Sequence, residues 1–347
     1  MAFLTDLPSE IVDAIADWID SGHDALAFAL TAKAICPVLS PRHTQLRKWS
    51  CSPDADCAWA TLARDATLAR NIRILEVDTF PDLHHTFICR IADPQNPNRA
   101  ESIRLLVLAL RNMHNLIAFR FDVMHREVSE VAYEQGMWEA LVASCPNVTE
   151  LYIREVARTT GWERAVYTMS NLTVFEYSAF EGMYEASMDC TRLGKMLRER
   201  CPNLQKLRIR VDDPSDPLPP DIGESILTGH WSHLTSFHMQ DVVRCTPEAI
   251  VSFLSAHPGL RELHLDGLMG SDELGCEVPL SCPSGLLPGL VTMASTPGHI
   301  VDILSSRAAT STHLKEIWVL YSETQESRCE EFRTFAKSHL QDVTIKG

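Results

Sequence analysis

The chain lacks most of what would assign it quickly to a membrane, a secretory route or a common enzyme class. Its longest apolar stretches, such as Leu105 to Leu110, fall far short of the roughly 20 residues a spanning helix needs. The N-terminus, MAFLTDLPSEIVDAIADW, has no basic lead and is interrupted by acids, unlike a signal peptide. The 11 cysteines among 347 residues are too sparse for a disulfide framework, and an odd number cannot all pair internally. Reduced thiols and a cytoplasmic or nuclear location are the expectation. Basic residues are outnumbered, 31 against 46 acids, for a net charge of −15. That charge disfavours nucleic acid and anionic membrane surfaces as partners.

The signatures of chemistry are missing as well. There is no Gly-x-x-x-x-Gly-Lys, no Gly-x-Ser-x-Gly, no His-Glu-x-x-His and no Cys-x-x-Cys. His84, His85 and Cys89 are potential metal ligands by type, but adjacent histidines normally diverge. Gly267, Gly270 and Gly275 with Ser271, Asp272 and Glu273 lack both a phosphate-binding lysine and calcium-loop spacing. The sequons at Asn147 and Asn171 sit inside repeat phrases and are expected to be silent. No catalytic residue, metal or cofactor is expected.

What the chain does have is 45% apolar residues in two patterns. The first fifty residues read as a small helical unit. Pro8 suits a helix start, and Ile11, Val12, Ile15, Trp18 and Ile19 mark one face opposite Asp13, Asp17 and Asp20. Ser21-Gly22 breaks that helix. A second apolar stripe comes next at Ala25, Leu26, Ala29, Leu30 and Ala34, with Pro37 and Pro41 expected to close it. The order Leu7-Pro8, Glu10-Ile11, Ile15, Asp24, Leu26, Leu30, Lys33 and Ile35 resembles the F-box, although Ile35 replaces a frequent tryptophan and Ala32 a frequent cysteine. The plainer alternative is an amphipathic helical hairpin that caps the rest of the fold.

From residue 72 onward one phrase recurs: apolar, two residues, apolar, one residue, apolar. It appears at Ile72-Leu75-Val77, Leu116-Phe119-Phe121, Val148-Leu151-Ile153, Leu172-Phe175-Tyr177, Leu204-Leu207-Ile209, Leu234-Phe237-Met239 and Leu260-Leu263-Leu265. Weaker copies are Leu290-Met293, Leu314-Ile317-Val319 and Leu340-Val343-Ile345. From Leu116 the starts lie 32, 24, 32, 30, 26, 30, 24 and 26 residues apart, around the upper end of leucine-rich-repeat periods. The last two apolar positions of a phrase share one face of a strand. Helical patterns such as Trp138-Leu141-Val142, Leu193-Met196-Leu197, Ile250-Val251-Leu254 and Ile300-Ile303-Leu304 intervene. Such units bury their apolar faces only by stacking.

The expected fold is therefore α/β: an N-terminal F-box-like helical domain over residues 1–50, then over 51–347 an irregular leucine-rich-repeat solenoid, a curved parallel sheet inside and helices outside. The turns Cys145-Pro146-Asn147 and Cys201-Pro202-Asn203 resemble the cysteine-containing leucine-rich repeats of F-box proteins. The usual Asn or Cys after the strand is replaced by Phe80, Val156, Val242 or Leu268, so divergent repeats with long loops are expected, as in fungal F-box proteins. Residues 80–99, 122–135, Asp212 to Asp221 and Gly267 to Gly289 are expected as loops.

Within each strand the residue between the inward pair faces the concave side. That row reads Glu76, Arg120, Tyr152, Glu176, Arg208, His238, His264 and Trp318, with Thr344 in the last phrase. Arg154, Lys206, Arg210 and Glu316 flank it, and Lys206, Arg208 and Arg210 form a basic cluster in an acidic chain. The resemblance implies a division of labour. Leu7, Pro8, Ile11, Ile15, Leu26 and Leu30 would contact a Skp-family adaptor, and through it a cullin–RING ubiquitin ligase, or form the small core behind that contact. Arg120, Tyr152, Arg208, Arg210, His238, His264 and Trp318 would bind a protein substrate. The alternative is a leucine-rich-repeat interaction scaffold without ligase duty.

Overall fold

The computed structural model describes residues 7–19, 22–40, 43, 46–78, 99–123, 131–155, 163–179, 190–211, 225–269, 279–306, 313–320 and 326–346. His84, His85 and Cys89, the loop from Asp212 to Asp221, and Gly270 with Gly275 lie outside them. The chain divides into two compact units, Met1–Tyr152 with Arg164–Val166, and Ile153–Glu163 with Tyr167–Gly347.

The first unit opens with α1 (Ser9–Asp17), α2 (Gly22–Ala29) and α3 (Cys36–Leu39). Val12, Ala16, Ala29, Ile35 and Leu39 form their shared core, against which Leu7, Phe28, Ala32 and Val38 also pack. Alanine at the two central positions lets the helices approach closely, so this core is small. Pro37 does not end a helix as expected. It sits in the first turn of α3, where its missing N–H costs nothing.

Behind these helices come β1 (Lys48–Cys51), α4 (Asp56–Arg64), α5 (Ala66–Asn71), β2 (Ile74–Asp78), α6 (Arg99–Leu110), β3 (Ala118–Val123), α7 (Val131–Ser144) and β4 (Glu150–Glu155), whose end passes into the second unit. β1 runs parallel to β2 and β2 to β3, with Trp49 opposite Leu75 and Leu75 opposite Phe119. The array thus starts a repeat earlier than residue 72. Its first phrase is Leu46-Trp49-Cys51, the same spacing with an unusual last member. α4 packs on α6 and α6 on α7, while Trp138 meets Phe119 edge-on at 5.4 Å and Phe121 at 5.2 Å.

All of α8 (Glu163–Val166) but its first residue belongs to the first unit, and the second carries β5 (Val174–Ala179), α9 (Cys190–Arg200), β6 (Lys206–Val211), β7 (Ser236–Arg244), α10 (Pro247–Ala256), β8 (Glu262–Met269), β9 (Thr292–Ser295), α11 (Pro297–Ser305), β10 (Glu316–Val319), α12 (Glu326–His339) and β11 (Thr344–Lys346). Every pair from β5 to β11 is parallel, and the strands succeed one another in chain order from β1 to β11. This is an α/β array of strand–helix repeats of the leucine-rich type.

The repeat has a fixed hydrogen-bond device. The carbonyl just before each strand accepts two successive N–H groups of the next repeat: Arg73 from Ile117 and Ala118, Thr173 from Gln205 and Lys206, Thr235 from Arg261 and Glu262, Arg261 from Val291 and Thr292. The phrase leucines Leu116, Leu172, Leu204, Leu234, Leu260 and Leu290 are buried on the turn beside that carbonyl. The inward pairs, from Leu75 and Val77 to Leu263 and Leu265, are buried as expected.

Several boundaries differ from the sequence reading. β8 runs on through Met269 and β3 to Val123, while α7 already begins at Val131, inside a stretch expected as loop. β7 and β8 extend through Val242 and Leu268, past a register shift between Gln240 and Val243, so no Asn turn is needed there. The last strand is slipped by two residues: Ile345 pairs with Ile317, and on this terminal strand it lies exposed rather than buried.

Candidate protein-interaction surfaces

On the N-terminal helices the apolar residues split between core and surface. Val12 and Ala16 turn inward, whereas Ile11 is 48% exposed and Trp18 87% exposed. Ile11, Ile15 and Trp18 stand four and then three residues apart, so they share one stripe of α1. On α2, Ala25 and Ala29 are buried while Leu26 and, just past the helix end, Leu30 are exposed, Leu30 by 71%. Of the six residues expected here, Leu7 packs against the core, Ile15 is half-buried, and Pro8, Ile11, Leu26 and Leu30 are exposed. Trp18 belongs with them. Its i+7 spacing from Ile11 is visible in the sequence, but a tryptophan is usually taken as core.

A polar latch fixes these helices to the strands behind them. His43, 1% exposed, lies 2.7 Å from Asp13 through Nε2 and 3.1 Å from Arg47 through Nδ1. A guanidinium can only donate, so Nδ1 accepts from Arg47 and Nε2–H donates to Asp13. Arg47 also donates to the Ala16 carbonyl at the end of α1, and Arg73 to the Asp17 carbonyl at 2.7 Å. Both arginines lead into strands, so the head is seated on the first two repeats by charge-assisted bonds.

Along the strand face of the first unit, Glu76 is held by Lys48 at 3.0 Å and by Arg120 at 3.1 Å. The Arg120 guanidinium lies 4.5 Å over the Tyr152 ring, whose hydroxyl donates to Glu150 at 3.0 Å. These groups form one continuous charged and aromatic ladder. Arg120 and Tyr152, expected to bind together, are neighbours in it.

In the second unit, Glu176, Arg208, His238 and His264 stand opposite one another at one register of β5 to β8. The row continues through Ala294 to Trp318 and ends at Lys346, not at Thr344, because of the slip in β11. Lys346 Nζ lies 4.4 Å over the Trp318 ring and pairs with Glu316. The His238 and His264 rings stack at 5.4 Å. Burial, aided by His264, Arg208 and Lys206, pushes the His238 imidazole down to about 4. Burial also lowers His264, Asp266 partly opposing it and Arg208 and Arg210 adding to it. Both rings are thus neutral near pH 7.

No family model matches this chain, and no curated protein matches it. Among solved structures it is similar to the crystal structure of the Rad7 and Elc1 complex in yeast, with a TM-score of 0.42 and 13% identity over 97% of this chain and 92% of that one.

No group of three or more metal-ligating side chains occurs among the described residues, nor any helix long and apolar enough to cross a membrane. The cysteines of the Cys-Pro-Asn turns are packing residues. Cys145 and Cys201 are buried, their thiols raised by burial, Cys145 to about 12. A thiol held that far above neutrality supplies no thiolate nucleophile. Ser50, Ala294 and Lys346 complete the strand-face row and are not singled out by the sequence pattern. The phrases that would have placed them end in Cys51, Ser295 and the slipped Ile345, none of them an ordinary buried aliphatic ending.

Proposed function

We propose that this chain is a substrate receptor of a Skp–cullin–F-box-type ubiquitin ligase, acting in the cytosol or nucleus without catalysing a reaction itself. The N-terminal helices dock a Skp-family adaptor, and the strand face holds a protein substrate. The observation that carries this reading is the exposure of Ile11, Trp18, Leu26 and Leu30 on helices whose residue order is F-box-like. A domain gains nothing in stability from large apolar side chains left in water, while aromatic and aliphatic anchors are what interfaces bury. The receptor then acts by proximity, raising the effective concentration of a substrate lysine near the conjugating enzyme.

The test is co-precipitation of a Skp-family adaptor with the full chain. A Leu26→Glu, Leu30→Glu double variant alters only exposed side chains and leaves the helical core intact. The parent should retain adaptor and the variant should lose it. Equal recovery, or none by the parent, refutes the reading. The second reading, an interaction scaffold whose helices cap the array, is favoured by the latch of His43, Arg47 and Arg73. It predicts no adaptor recovery and a melting temperature lowered by breaking that latch.

A further inference from the structure

Lys206, Arg208, His238 and His264 lie on adjacent strands β6, β7 and β8. Neither Lys206 nor Arg208 has an ion-pair partner among the described residues. The face also has unmet hydrogen-bonding capacity: His238 Nδ1 and His264 Nε2 are shut off from solvent with no partner. Buried polar groups are normally paired, and these two ring nitrogens depart from that rule. Three carboxylates share the face: Glu176 opposite Arg208, Glu262 at the register of Lys206, and Asp266 two residues past His264.

We propose that this face of the second unit is a binding site for a phosphoryl group. Two cations match the double charge of a phosphoryl oxyanion near neutral pH, and the planar Arg208 fork suits its oxygens. His238 and His264 border the two cations on the neighbouring strands. A singly charged carboxylate would leave one cation unmatched. The site stands whether or not the N-terminal helices dock an adaptor. The phosphoryl group comes either from a phosphorylated side chain of a partner or from a small phosphate compound.

Calorimetric titration of the full chain, in low salt at pH 7, tests this with two probes. One is inorganic phosphate; the other is a degenerate peptide pool with a central phosphoserine, with its unphosphorylated counterpart as reference. At least one phosphorylated probe should bind, and weaken with added salt. Peptide binding without phosphate binding assigns a phosphorylated partner; equal binding assigns a small phosphate compound. Arg208→Ala should weaken binding about tenfold or more. Arg208→Lys should retain part of it. Lys206→Glu, at an exposed position where folding is undisturbed, should abolish it. Arg104→Ala, the same charge change as Arg208→Ala but on α6, should leave it unaltered. Binding of neither probe, equal binding of the unphosphorylated pool, or binding indifferent to Lys206→Glu overturns the site.

Discussion

A half-buried histidine that resists protonation makes folding sensitive to acid, and His238 is such a residue. Its folded imidazole titrates at about 4, against an ordinary value of 6.5. Between those values the unfolded chain holds a proton that the folded chain rejects. Stability from this residue is therefore fully present above about pH 6.5 and falls as pH drops toward 4. The difference amounts to at most about 3 kcal/mol, with His264 and His257 shifted in the same direction. Urea unfolding at pH 7 and pH 4.5 should show a larger loss for the parent than for a His238→Asn variant, which has nothing to titrate. An unchanged pH slope in the variant would contradict the assignment. His257 shows the contrasting, satisfied case. Its Nε2 accepts from the Trp231 N–H at 3.0 Å, so Nδ1–H donates to the Phe253 carbonyl at 2.7 Å.

At the scale of elements, legibility tracks periodicity. Strands announce themselves because two inward apolar residues at i and i+2 recur behind a buried leucine, and the observed registers align those positions across neighbours. α6 is hard to read because Ile103 to Leu110 is apolar nearly all round, which leaves no one-sided stripe. α12 is hard to read for the opposite reason, since among its described side chains Phe332 alone is buried, amid charges. The exposed stripe of the N-terminal helices cannot be separated from core by pattern alone. Val12 and Ile11 are both aliphatic neighbours, and only the packing of α3 decides which is covered. Close packing between elements also depends on absent side chains. A Cβ at Gly194 of α9 would stand 2.6 Å from the Ser225 carbonyl oxygen. Backbone cannot yield as a side-chain tip does, so Gly194→Ala should destabilise by about 1–3 kcal/mol, despite alanine's better helix propensity. Thermal or denaturant unfolding reads this directly. A stabilised variant would show that α9 shifts freely.

At the scale of the molecule, the order of the strands dictates how damage spreads. Each strand hydrogen-bonds to its predecessor and successor in the chain, so stability is approximately a sum of repeat and nearest-neighbour contributions. Contacts are correspondingly local in sequence, one repeat reaching only to the next, and the carbonyl that precedes each strand passes the register along by accepting two N–H groups. A core deletion in one repeat should therefore loosen that repeat and those beside it. Phe237 tests this, being 1% exposed and 4.4 Å from Phe253 in ring-centroid distance. Phe237→Ala removes that contact at a cost of about 3–5 kcal/mol. In hydrogen exchange, amides of β6, β7 and β8 should lose protection by orders of magnitude while those of β1, β2 and β3 keep theirs, since β7 pairs with β6 and β8. Uniform loss across both sets would mean that the array unfolds as one cooperative body, and the nearest-neighbour account would fail.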